Sequence, residues 1–182
     1  MSNAAYFLTR SSGIVALLLL VGSLLWGFIF SSRATGKRLR PNWWLDLHNY
    51  LGGLALVFTL VHILASLVDE NASITVVRVL APAASGDQRW AITWGVVSTY
   101  ALVAVVFTSW PKRMTNRRLW RLIHVASVPA TLLAFVHAVQ TGSDASRAPF
   151  QILILLAAAI GTYGLGLRLS TLRPNRRSRT ID

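Results

Sequence analysis

Residues 45–62 read LDLHNYLGGLALVFTLVH. Two histidines, His48 and His62, stand fourteen residues apart in this largely apolar segment. At about 100° and 1.5 Å per residue, that spacing returns both imidazoles to nearly the same helix face, roughly 21 Å apart along the axis. The segment belongs to an apolar run from Trp44 to Leu67, near the ~20 residues a helix needs to cross ~30 Å of hydrocarbon. Ionisable groups at membrane depth are rare and costly, so each requires a partner that offsets its burial.

Working outward, four more runs of similar length appear: Ile14 to Phe30, Trp90 to Trp110, Leu119 to Val139 and Phe150 to Leu169. Hydrophobic residues make up 54% of the 182 positions, and the charged ones fall almost entirely between the runs. The expected fold is all-α, an integral membrane bundle of five transmembrane helices. Its divisions are a short extracytoplasmic N-terminus (1–12), a membrane domain (13–170) and a basic cytoplasmic tail (171–182). The net charge of +12 is not a nucleic-acid footprint, because it is distributed by loop. Arg33, Lys37, Arg38 and Arg40 follow the first run, Lys112, Arg113, Arg117, Arg118 and Arg121 the third, and Arg168, Arg173, Arg176, Arg177 and Arg179 the fifth. Every second connection is basic, the positive-inside pattern, which places the N-terminus outside and the C-terminus in the cytoplasm. The basic cluster follows the first run rather than preceding it, and no small-residue cleavage site stands out, so that run reads as a retained helix.

The fourth run carries the remaining histidines, His124 and His137. One span separates it from the second run, so the two run in the same direction, and their first histidines share one membrane depth and their second histidines the other. His48 is therefore expected to pair with His124, and His62 with His137. Thirteen residues separate the second pair, which leaves them well over 90° out of line on an ideal helix. Pro129 lies between them and predicts an irregular fourth helix. Haem iron is the partner that best fits two stacked histidine pairs. The chain has no cysteine, and its two methionines, Met1 and Met114, lie outside the runs, so iron would have to be held by histidine. Gly52 and Gly53 fit the need for a close approach between ligands, since mid-helix glycine costs about 1 kcal/mol. Two other readings stay open. The histidines can serve as interhelical hydrogen-bonding groups, or they can bind zinc or copper for transport, although the spans offer only Asp46, at a helix end, as an additional ligand.

The stretch from Leu45 to His62, together with residues 118–144, RLWRLIHVASVPATLLAFVHAVQTGSD, resembles the ferric-reductase-like transmembrane domain in its small stand-alone bacterial form. The resemblance runs from Ser12 to about Leu169 and extends to the membrane parts of ferric reductases, NADPH oxidases and the haem subunit of the methionine sulfoxide reductase system. It implies two b-type haems, with His48 and His124 holding the inner iron and His62 and His137 the outer, in a multi-pass protein of the bacterial cytoplasmic membrane. It also implies electron transfer from a quinol or a separate cytoplasmic flavin reductase to an extracytoplasmic acceptor such as a flavoprotein or ferric iron. Quinone is a candidate further cofactor. No phosphate-binding glycine motif marks an intrinsic FAD or NAD(P)H site, and only a basic tail, RLSTLRPNRRSRTID, follows the last run. Haem propionates are anionic, which makes Arg40 and Arg121 inside, and Arg78 and Arg89 outside, candidates to face them; ordinary loop arginines explain these residues as well. Residues 69–89 form the longest outside connection, a candidate lid, docking or quinone site or a plain connector. From a different class, the chain would be a haem-containing anchor subunit of a larger redox complex.

Overall fold

Apolar runs of this length satisfy their backbone groups internally by coiling. The computed structural model describes residues 2–32, 41–70, 74–84, 86–109, 116–142 and 146–172, and among them there is no strand. The helices are α1 (Ser2–Ser32), α2 (Pro41–Val68), α3 (Val76–Leu80), α4 (Arg89–Ser109), α5 (Arg117–Val125), α6 (Ser127–Thr141) and α7 (Ala148–Leu172). Five spans are long and apolar enough to cross a membrane: α1, α2, α4, α5 with α6, and α7. The protein is therefore an all-α, multi-pass membrane protein.

Packing follows chain order in two halves. α2 lies along α1, α6 lies along α4, and α7 closes on α1, while the histidine-bearing helices α2 and α5–α6 share little direct packing with each other. Ala55, wholly enclosed, joins Leu20 and Leu102 in a small core, with Leu19, Leu56, Val106 and Ala134 packed around it. Ala55 is seven residues from each histidine of α2, so this core separates two levels of the bundle. Outward faces are apolar: Val57, Leu60 and Leu64 on α2, Leu132 on α6 and Leu155 on α7 are all exposed. Such faces suit lipid tails rather than water.

The fourth span is interrupted where the sequence predicts irregularity. α5 starts on Asn116, whose side chain accepts from the amides of Arg118 and Leu119 at 3.1 and 3.2 Å, a regular N-cap. It ends at Val125, and the Ala126 amide donates to the Ile123 carbonyl three residues back at 3.0 Å. Pro129 then falls in the first turn of α6, where its missing N–H leaves fewer amides unsatisfied than mid-helix. The three-residue turn both overwinds and lengthens the chain locally, the two corrections that a thirteen-residue spacing needs to match one of fourteen.

The connection after α2 carries α3 and is fastened to α4. The Ala83 amide donates to Thr93 Oγ1 at 2.9 Å, the Tyr100 hydroxyl donates to the Leu80 carbonyl, and the Arg78 guanidinium donates to the Asp87 carbonyl. Gly86 takes φ +130°, and a Cβ there would lie 2.9 Å from the Arg78 guanidinium carbon, so this position requires glycine.

Candidate functional site

The two levels on either side of the core each hold one histidine pair. The rings of His48 and His124 have their centres 5.9 Å apart, and those of His62 and His137 6.1 Å apart. The four imidazoles thus meet across the space between α2 and α5–α6, two by two, in the combination expected from parallel spans.

A helix standing behind each histidine helix fixes the rings. The Nδ1–H of His48 donates to the Ser23 carbonyl on α1 at 3.0 Å, that of His62 to the Thr9 carbonyl on α1 at 2.7 Å, and that of His137 to the Ala91 carbonyl on α4 at 2.8 Å. A carbonyl only accepts, so these three bonds place the proton on Nδ1 and leave Nε2 with a free lone pair. This is the tautomer a metal-ligating imidazole takes, and the carbonyl is its usual outer partner. The Ser23 hydroxyl also lies 3.3 Å from His48 Nδ1. His124 has no carbonyl partner among the described residues: its Nδ1 lies 3.3 Å from the Ser109 hydroxyl, which also accepts from Trp120 Nε1 at 3.3 Å, and its ring stacks on Trp120 with centres 4.9 Å apart. The carbonyls of the His62–His137 pair are tied down in turn, that of His62 by Ser66 and that of His137 by Thr141, at 2.7 and 2.8 Å.

Glycines let the backing helices come this close. A Cβ on Gly95 would meet His137 Nδ1 at 2.7 Å, one on Gly13 would meet His62 Nδ1 at 2.9 Å, and one on Gly27 would meet His48 Cε1 at 3.3 Å. The sequence reading picks out Gly52 and Gly53 and misses these three. Gly52 faces the Ser23 hydroxyl at 3.5 Å, and Gly53 has no protein atom within 4 Å of a would-be Cβ. A 14-residue echo was the available signal: Thr9 and Ser23, Gly13 and Gly27 on α1, and Gly95 and Ser109 on α4, all repeat the spacing of His48 and His62.

The residues present fit haem on four observations. Two metal–nitrogen bonds of about 2 Å, plus about 1 Å from each nitrogen to its ring centre, would set ring centres about 6 Å apart, close to the measured separations. The ligand-bearing helices stand apart from each other, which leaves room for a planar group. Among the described residues no cluster of three or more histidine, cysteine or acidic side chains occurs; paired axial donors suit a metal already held in a macrocycle, whereas zinc wants about four ligands of its own. Finally, among the described residues two buried side-chain polar atoms lack partners, Thr9 Oγ1 and Trp44 Nε1. Thr9 is the residue whose carbonyl holds His62, and Trp44 lies one turn before His48, stacked on Trp26 at 4.1 Å.

The candidate arginines are less tied to the pairs. Arg121 is exposed on α5, Arg89 is exposed with its guanidinium 4.9 Å over the Trp90 ring, and Arg78 is engaged within the connection by Asp87. Arg40 lies outside the described residues.

The sequence model for the ferric reductase like transmembrane component matches residues 12–135, which include His48, His62 and His124 and stop two positions before His137. No curated protein and no solved structure gives a significant match. With more than half of its length matched and its histidines paired at two levels of a helical bundle, the chain belongs to the ferric-reductase-like transmembrane family.

Proposed function

We propose that this protein carries electrons across the bacterial cytoplasmic membrane through two bis-histidine haem b groups. His48 and His124 would hold the inner haem, and His62 and His137 the outer. When bound, haem supplies an iron that alternates between ferrous and ferric states. The observation that carries the reading is the locked tautomer of His48, His62 and His137, whose Nε2 atoms are left free while each ring faces its partner about 6 Å away.

The chain's own residues do three things for such a relay. Ser23, Thr9 and Ala91 hold the rings so that little reorganisation accompanies a change of charge. The apolar layer of Leu20, Ala55 and Leu102 keeps water from the space between the levels. Thr9 Oγ1 and Trp44 Nε1 each offer an unused donor, one per level, to an anionic edge, a role that Arg40, Arg121, Arg78 and Arg89 would supplement from the surfaces. With two histidines held toward each iron, substrates would react at a haem edge or on a partner. The donor would be a quinol or a separate flavin reductase, with quinone as a further cofactor, and the acceptor an extracytoplasmic flavoprotein or ferric iron. The membrane domain would span 13–170, flanked by an outside N-terminus and a cytoplasmic tail.

The deciding experiment is a reduced-minus-oxidised spectrum of the purified protein with haem counted by pyridine haemochrome. Two low-spin b haems per chain are expected. No haem at all would refute the proposal and return the quartet to metal binding or to interhelical hydrogen bonding.

A further inference from the structure

Three histidines donate to carbonyls, His48 with the Ser23 hydroxyl also 3.3 Å from its Nδ1, and among the described residues His124 alone has a hydroxyl and no carbonyl. The difference is chemical as well as geometric. A carbonyl admits one arrangement, with the proton on Nδ1. A hydroxyl admits two: Ser109 can accept from Nδ1–H, leaving Nε2 free to ligate, or it can donate to Nδ1, which moves the imidazole proton to Nε2 and removes the ligand lone pair. Trp120 Nε1–H already donates to the same oxygen at 3.3 Å. That bond makes the oxygen a poorer acceptor, so the bond Ser109 accepts from Nδ1–H when Nε2 is free to ligate is weaker than one to a carbonyl. Ser109 stands fourteen residues after Gly95, the glycine that backs His137; along α4, one level thus has a glycine and a carbonyl where the other has a serine side chain.

Resting on the two-haem reading, we infer that Ser109 and Trp120 act together as positioning residues that make His124 the weakest of the four ligands. The haem at His48–His124 is then the more loosely held of the two and the one with the higher reduction potential. The direction follows from donor strength: an Nδ1–H bonded to a strong acceptor gives the imidazole anionic character, favours ferric iron and lowers the potential, whereas a shared hydroxyl withholds that push.

The test uses the purified holoprotein, read by potentiometric titration and by the rate of haem transfer to apomyoglobin. The wild type should show two waves and two transfer phases. Ser109→Ala should raise the higher-potential wave further and weaken that haem about tenfold, within the usual effect of removing an outer-shell partner. Trp120→Phe, which frees the hydroxyl to accept, should lower the same wave, and Ser109→Thr should restore wild-type behaviour. If Ser109→Ala does not assemble, the sign of the Trp120→Phe shift decides. The inference is overturned if neither variant moves the upper wave, or if both waves move together as in general loosening. A wild type with fewer than two haems by pyridine haemochrome would instead bring down the two-haem reading on which the inference stands.

Discussion

Gly95→Ala offers the sharpest test of the outer pair because its consequence can be worked from distances. The added Cβ would lie 2.7 Å from His137 Nδ1, 2.9 Å from Cε1 and 3.0 Å from Cγ, so it meets the ring broadside rather than at a flexible tip. Ordinary contact begins near 3.4 Å, so the ring must retreat about 0.7 Å, in a bundle where close packing transmits rather than absorbs such shifts. The 2.8 Å bond from Nδ1 to the Ala91 carbonyl then stretches to about 3.5 Å, past the limit of a useful hydrogen bond. Retreat from α4 also drives His137 toward His62, taking ring centres from 6.1 Å to about 5.4 Å, short of the ~6 Å that two metal–nitrogen bonds require. Overpacking of this kind costs about 1–3 kcal/mol, and the lost hydrogen bond about 1 kcal/mol more. Against these stands a gain of about 1 kcal/mol in helix propensity.

The expected outcome is a folded protein with one haem in place of two, the inner one retaining its spectrum. Haem per chain and the reduced α-band measure it directly. Gly161→Ala, where a Cβ meets nothing within 4 Å, is the control and should keep both haems. Should Gly95→Ala retain two low-spin haems with unshifted bands, the idea that α4 holds His137 by close approach is wrong.

Four other outcomes follow from the same geometry. His62→Ala should abolish the outer haem and stop reoxidation from outside while the inner haem stays reducible by quinol; retention of both haems would refute the pairing. Gly53→Ala has no protein neighbour to meet and should raise thermal stability by about 1 kcal/mol, so a loss of haem in this variant would place the cofactor against that backbone. Ser98→Ala removes the buried 2.9 Å bond to the Ala130 carbonyl and should cost about 0.6 kcal/mol in a denaturation series in detergent; a larger loss would mean that the bond also holds the α5–α6 break. Pro129→Ala should allow α5 and α6 to run on as one helix, turning His124 away from His137's face, and should lower haem occupancy; unchanged occupancy would show that Ala126 breaks the span without proline.

The histidines were legible because their chemistry is scarce: four ionisable groups in two apolar runs demand partners, and parallel spans dictate which ring meets which. The five-helix class was legible for the same reason, since run length and composition leave lipid as the only solvent that suits exposed residues such as Leu64 and Leu155. What stayed hidden is the outer shell. Thr9, Ser23 and Ala91 act through carbonyls, which every residue carries, so side-chain identity says nothing of them. Gly13, Gly27 and Gly95 look like any glycine in a membrane helix until the ring behind each is placed, whereas Gly52 and Gly53 drew notice only by lying between two histidines. The fourteen-residue echo shows how the two layers are linked. A ligand helix that returns to the same face every fourteen residues can be backed only by a neighbour with nearly the same period, which is why α1 repeats Thr9–Gly13 as Ser23–Gly27. On α4 the echo pairs Gly95 with Ser109, and the ring beside that serine is the one histidine with no carbonyl partner among the described residues. The departure from the repeat therefore falls on one ligand only, and it divides two otherwise matched sites into unequal ones.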